Sequence, residues 1–100
     1  MESSEIKKAI SAVLSGDAVL LDVRRQDEWD AGHAGPAIHF DSPRILEDGE
    51  LPEVSKDKTI YVYCRSGGRA GRVKNELLRQ GYYDVHNLGG LSDWQANGGK

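Results

Sequence analysis

The chain is expected to fold as α/β, a mostly parallel sheet with helices on both faces, and three observations lead there. Two short, nearly continuous apolar runs, Ala18–Val23 and Thr59–Tyr63, have the pattern of strands buried on both sides. Segments with apolar residues at helical spacing alternate with such runs, the signature of parallel crossover units. One hundred residues with 38% hydrophobic content support one compact domain, 1–100, and not two.

Taken in order, Ser3 or Ser4 is placed to cap a first helix with Glu5 in its first turn. Ile6, Ala9, Ile10, Val13 and Leu14 form its apolar stripe, and Gly16 is its stop. After the Ala18–Val23 strand, Arg24–His33 is polar around Trp29. Asp27 and Glu28 suit a short helix there, and Gly32 suits its end. Gly35-Pro36 marks a turn before a short strand at Ala37–Phe40. Ser42-Pro43 opens a brief helix through Leu46, and Asp48–Lys58 is a polar loop. The Thr59–Tyr63 strand leads into Cys64 and a glycine-containing loop. A helix follows with Ala70, Val73, Leu77 and Leu78 on one side and Gly81 at its end. Tyr83–Asn87 is a further strand, Leu88-Gly89-Gly90 a turn, and Leu91–Gln95 a last helical turn with Trp94 facing the core. Trp29 is expected in the core as well.

Charge narrows the function classes. Residues 1–50 carry 5 Lys/Arg against 11 Asp/Glu, and residues 51–100 carry 8 against 5. Arg65, Arg69, Arg72, Lys74 and Arg79 face only Glu76 within 64–79, so a field favouring anions begins at the cysteine. The basic stretch is too short, on a chain of net charge −3, for extended nucleic-acid binding. No apolar run approaches the roughly 20 residues needed to span a bilayer. The start, MESSEIKKAI, lacks the apolar centre of a signal peptide. The expected location is therefore cytoplasmic, or periplasmic if a signal peptide has been removed. A single cysteine excludes a disulfide framework, and three scattered histidines lack zinc-ligand spacing, so no metal or cofactor is expected.

Cys64 carries the chemistry. A lone cysteine is commonly a small buried hydrophobe. This one ends a strand and is followed by Arg65-Ser66-Gly67-Gly68-Arg69, a setting that lowers a thiol pKa. Gly67 and Gly68 permit a nest of backbone N–H groups around an anion. A charge-assisted hydrogen bond is worth about 1.5–3 kcal/mol, against about 0.3–1 kcal/mol for a helix dipole at an exposed site. The loop N–H groups thus dominate thiolate stabilisation, leaving Arg65 and Arg69 to recognise an anionic substrate.

Cys64 to Arg69 reads CRSGGR, a cysteine, four residues and an arginine. With Asp22-Val23-Arg24, Glu28 and Gly32-His33 upstream, and Gly89-Gly90, Trp94 and Gly98 downstream, the chain resembles the rhodanese-like domain. It looks most like small single-domain thiosulfate sulfurtransferases of the phage-shock type. The matches span residues 22–98. The resemblance implies a sheet of about five short strands and a six-residue active loop opening with the nucleophile. Cys64 is then the catalytic residue, and Arg65, Ser66, Gly67, Gly68 and Arg69 bind substrate. It also implies a double displacement. Cys64 takes the outer sulfur of thiosulfate or another sulfane-sulfur donor and holds it as a persulfide. It then yields it to cyanide or a cellular thiol, which includes a thiol protein as acceptor. Two positions depart from the family pattern: Gly35-Pro36-Ala37 stands where Pro-Gly-Ala is usual, and no proline follows Gly98.

Other readings are weighed on the same residues. A cysteine-dependent phosphatase or arsenate reductase of similar fold has five residues between cysteine and arginine, and here that register lands on Ala70. A thiol hydrolase needs a paired histidine base. His33 instead suits a turn-organising role, and His39 and His86 are strand or strand-end residues. A persulfide carrier or regulatory module is the non-enzymatic alternative. Asp22, Arg24 and Glu28 are expected to form a hydrogen-bonded network holding the turn near His33, with no chemical role.

Overall fold

The structure, a computed structural model, describes residues 1–100. Nine elements follow in sequence: α1 (Ser3–Ser15), β1 (Ala18–Asp22), α2 (Gln26–Asp30), β2 (Ile38–His39), α3 (Ser42–Leu46), β3 (Thr59–Cys64), α4 (Gly68–Arg79), β4 (Asp84–Gly90) and α5 (Leu91–Ala96). The strands form one sheet in the order β2-β1-β3-β4, with every pairing parallel. The expected α/β architecture holds, with four strands in place of about five.

Side-chain alternation on the central strand divides the core in two. Ile60, Val62 and Cys64 of β3 point to one face, where they pack with Leu21 of β1, Val23 and Phe40 just past β1 and β2, Ile45 of α3, and Ala70, Val73 and Leu77 of α4. Tyr61 and Tyr63 point to the other, against Ile6, Ala9, Ile10 and Val13 of α1 and Trp94 of α5. A strand buried on both faces has no polar side to show, which is why Thr59–Cys64 reads as an unbroken apolar run. The same parity sends the thiol of Cys64 toward α4 and the hydroxyl of Tyr63 to the opposite side.

The helices follow their periodicity with two exceptions at stripe edges. Ile6, Ala9, Ile10 and Val13 are buried, but Leu14 is 69% exposed. Ala70, Val73 and Leu77 are buried, but Leu78 is 39% exposed. Each lies about 100° around the helix from the residue before it, outside the arc that meets the sheet. Gly16 ends α1 with φ 86°, a left-handed value that glycine adopts without strain. The cap expected from Ser3 or Ser4 is absent: the helix begins at Ser3 itself, after Glu2 in extended conformation.

Two further expectations are corrected. β4 does not stop at Asn87 but runs through Leu88 and Gly89 to Gly90, because a register shift opposite Val62/Tyr63 absorbs one extra residue and pairing resumes at Tyr63–Gly89. Trp29 is not a core residue. No residue of α2 is buried, and the indole instead lies between two imidazoles, with ring centroids 3.4 Å from His33 and 4.8 Å from His39. Trp94, by contrast, is fully buried as expected.

A buried polar network locks the ends of β1 and β3 together. Asp22 is wholly buried and accepts hydrogen bonds from Arg24 Nε (3.0 Å), Arg24 Nη2 (2.8 Å), the Arg24 backbone N–H (2.9 Å) and Tyr63 Oη (2.6 Å). Arg24 Nη2 also donates to the Gly32 carbonyl, and Tyr63 Oη accepts from the Ala34 N–H. This is the network expected around the His33 turn, and Asp22 and Arg24 belong to it. At the first of the two departures from the family pattern, the Gly35 N–H donates to a main-chain oxygen of Lys100 at 2.6 Å, and a Cβ on residue 35 would lie 2.9 Å from that oxygen. A proline at 35 would supply neither the donor nor the space.

Removing the Asp22 carboxylate strands a buried guanidinium and a buried hydroxyl. Asp22→Ala is expected to destabilise the protein by about 3–5 kcal/mol, read as a lower urea midpoint at unchanged slope.

Candidate active site

The site lies at the carboxyl end of β3, where open α/β sheets place their ligands. Strand β3 ends on Cys64, the loop turns through Arg65, Ser66 and Gly67, and α4 begins at Gly68. Gly67 makes the turn with φ 99°, a conformation that a side chain would strain. The first residues of α4 then have N–H groups with no partner inside the helix, and these face the cysteine.

Cys64 is 1% exposed, with its strand and side chain packed in the α4-side core, while Arg65, Ser66 and Gly68 around it are exposed. The Gly67 N–H donates to Sγ at 3.0 Å. Burial pushes the thiol pKa up, but the backbone N–H groups of Ala70, Ser66, Gly67 and Arg69 together outweigh it, and the net direction is down. The cysteine is buried like a core residue, a feature of the reading the sequence set aside, yet it lies in the pKa-lowering surroundings that the sequence did lead one to expect. The Gly67 N–H makes the hydrogen bond to the sulfur, and the neighbouring N–H groups of Ser66, Arg69 and Ala70 add to the field that favours the thiolate.

Sequence reasoning placed Cys64, Arg65, Ser66, Gly67, Gly68 and Arg69 in one site, and the structure gathers all six into one turn. The two arginines differ in state. Arg65 is exposed and makes no ion pair. Arg69 is bound to Glu28 in a bidentate pair, Nη1 to Oε1 at 2.6 Å and Nη2 to Oε2 at 3.0 Å. That pairing, ahead of all other influences, holds the Glu28 carboxyl well below the usual carboxylate range, at about 2, and raises the Arg69 pKa. Glu28 is fixed in turn by the Arg25 N–H, which donates to Oε1 at 3.1 Å at the start of α2.

Glu28 was expected in the His33 turn network, and here the structure corrects the sequence reading. The carboxylate leaves that network and reaches 41 residues along the chain to the active loop. A glutamate in an amphipathic-looking polar segment gives no sign of such a distant partner. Asn87 and Gly90 were also missed as site residues. Asn87 Nδ2 donates to the Gly67 carbonyl at 2.9 Å and thereby holds the loop's left-handed corner. Gly90 lies against the Arg65 carbonyl, where a Cβ would come within 2.2 Å of the oxygen. The Gly89-Gly90 pair in the sequence was a signal for close backbone approach, but not for what approaches. Of the histidines, His33 Nδ1–H donates to the Ala34 carbonyl and His39 Nε2–H to the Arg24 carbonyl, both structural contacts. Ala70, where a phosphatase register would need arginine, is fully buried in the α4-side core.

The comparisons with known proteins follow this geometry. The family model described as the rhodanese-like domain matches residues 5–97. The chain is 33% identical over 91 residues to the thiosulfate sulfurtransferase GlpE of Coxiella burnetii, covering 90% of this chain and 83% of that protein. It is 34% identical over 105 residues to a tRNA uridine(34) hydroxylase of Enterococcus faecalis, covering 97% of this chain but only 31% of that longer protein. Among solved structures, a rhodanese with anions from E. coli superposes with a TM-score of 0.68 at 32% identity, covering 76% of this chain and 89% of that one.

Two outcomes test this geometry. Alkylation of Cys64 by iodoacetamide should titrate with a midpoint below that of a free thiol, about 8.5, because the folded loop favours the thiolate. The rate should fall only as pH drops through that lowered value. Gly90→Ala should displace the Arg65 carbonyl and move the midpoint upward, with a stability loss of about 1–3 kcal/mol by urea unfolding.

Proposed function

The chain belongs to the rhodanese-like domain family, and from that premise we propose that it is a sulfurtransferase working through a Cys64 persulfide. Thiosulfate is the donor suggested by the GlpE relative, and cyanide or a cellular thiol is the acceptor. The observation that carries the reading is the Gly67 N–H donating to the Cys64 sulfur at the start of α4, in a loop whose backbone N–H groups lower the thiol pKa.

The steps balance on these residues. The Cys64 thiolate attacks the outer sulfur of thiosulfate. A new S–S bond forms, the donor's S–S bond breaks, and sulfite leaves with the electron pair and two negative charges. The Cys64 persulfide keeps one negative charge on its terminal sulfur, which the N–H groups of the loop are placed to hold. A thiophilic acceptor then attacks that terminal sulfur and the thiolate returns. Nothing needs deprotonating once the thiolate exists, which agrees with the absence of a base beside Sγ. Arg65, unpaired at the rim, is the cation placed to meet an arriving anion.

The four-residue spacing from Cys64 to Arg69 supports sulfur transfer over phosphate chemistry. The position that would complete a larger oxyanion cradle is the buried Ala70. A second reading comes from the tRNA uridine(34) hydroxylase relatives: the same domain serves there as about a third of a longer protein. On that reading Cys64 carries chemistry or a persulfide for another domain or partner. Steady-state turnover with thiosulfate and cyanide separates the free-standing enzyme from the carrier.

Intact mass after thiosulfate treatment should show one added sulfur atom, lost on cyanide addition and absent in Cys64→Ser. Cys64→Ser should also lose turnover while keeping its unfolding midpoint, and substantial remaining turnover would refute the persulfide mechanism. Arg65→Ala and Arg69→Ala should each raise the KM for thiosulfate. Unchanged kinetics in both would leave the loop backbone alone handling the anion.

A further inference from the structure

We infer that Glu28 is a specificity residue: by cancelling the charge of Arg69 it fits the loop to a singly charged persulfide donor better than to dianionic thiosulfate. The inference rests on the sulfur-transfer reading of Cys64 and names the donor class within it.

The geometry of the pair carries the argument. Glu28 occupies both terminal nitrogens of the Arg69 guanidinium, at 2.6 and 3.0 Å, and the two side chains are only 13% and 24% exposed. A pair this sheltered is weakly screened by salt. Glu28 is also tethered from behind by the Arg25 N–H at 3.1 Å, so it does not swing aside for an incoming anion without losing that bond. The remaining nearby cation on α2's side, Arg25, lies 3.8 Å from Glu28 and is already paired with Asp27 at 3.1 Å.

The charges around the sulfur then sum simply. Counted as formal charges, Arg69 and Glu28 cancel as a bonded pair, and the exposed Arg65 is the one further cation of the loop against the Cys64 thiolate. A dianion entering this loop leaves two uncompensated charges, and a monoanion leaves one. With a persulfide donor the step is the same displacement: the thiolate attacks the terminal sulfur of R–S–S⁻, the donor's S–S bond breaks, and R–S⁻ leaves with the electron pair. One negative charge departs and one stays on the Cys64 persulfide. The reaction that supplies such a donor must be one that makes a persulfide from a thiol.

Glu28→Gln tests the assignment, since it keeps a carbonyl acceptor for the guanidinium and removes the charge. The donors are thiosulfate and the hydropersulfide of 2-mercaptoethanol, with initial rates read against each concentration. Loss of one nearby negative charge should lower the KM for the dianion about tenfold and for the monoanion only about threefold, since the interaction scales with donor charge. Arg69→Gln should shift the donor preference the opposite way, and the double variant, which removes the pair together, should return toward the wild-type ratio. Arg69→Gln and the double variant carry the comparison if Glu28→Gln fails to fold. A donor ratio unchanged by these variants, or equal losses with both donors, would overturn the assignment while a wild-type mass gain leaves sulfur transfer standing. No mass gain in the wild type with either donor would overturn sulfur transfer itself and this inference with it.

Discussion

The buried carboxylate of Asp22 is the constraint on which the geometry of the site depends. It sits at the end of β1 with no exposure to solvent and is satisfied by Arg24 and by the Tyr63 hydroxyl on β3. Through Arg24 it holds the Gly32 carbonyl, and through Tyr63 it holds the Ala34 N–H. An uncompensated charge there costs several kcal/mol, so these contacts form together or not at all. They bracket α2 between residues 24 and 32. No residue of that helix is fully buried, and its place beside the active loop is inherited from the network at its two ends.

From that placement comes the electrostatics of the loop. Burial alone would make Cys64 an inert thiol. The turn through Gly67 and the start of α4 instead aim backbone N–H groups at the sulfur, and they prevail over desolvation. These groups are neutral dipoles, so they favour a thiolate or a persulfide equally well without fixing the charge of the substrate. The two arginines of the loop differ: Arg65 is exposed and makes no ion pair. Arg69 spends its guanidinium on Glu28, the residue that the Asp22 network delivers to the site. Fold and chemistry are joined at that ion pair.

Much of this was legible in the residues because it is local or periodic. The β3 run, the stripes of α1 and α4, the glycine stop at Gly16 and the membership of the active loop all follow from neighbours within a few positions. The misses are of another kind. Leu14 and Leu78 fit their stripes but lie past the edge of the buried arc, whose width depends on what packs against the helix. Trp29 has the apolar surface of a core residue, yet two imidazoles from His33 and His39 cover it at the surface. The Gly89-Gly90 pair reads locally as a turn. The pairing of β4 with β3 stretches it into strand and brings Gly90 against the Arg65 carbonyl.

What the sequence by itself determined was the parallel α/β class and the cysteine loop, because strand burial, helical period and a six-residue turn are written in contiguous residues. Parity along β3 already implied that Cys64 and Tyr63 point to opposite faces. Only the tertiary structure decided which groups lie around that loop: Glu28 on Arg69, Asn87 on Gly67, and Gly90 under Arg65. Each joins residues 20 or more positions apart. Their meeting is set by strand order and register, which cohere only once the two cores on either side of the sheet have closed.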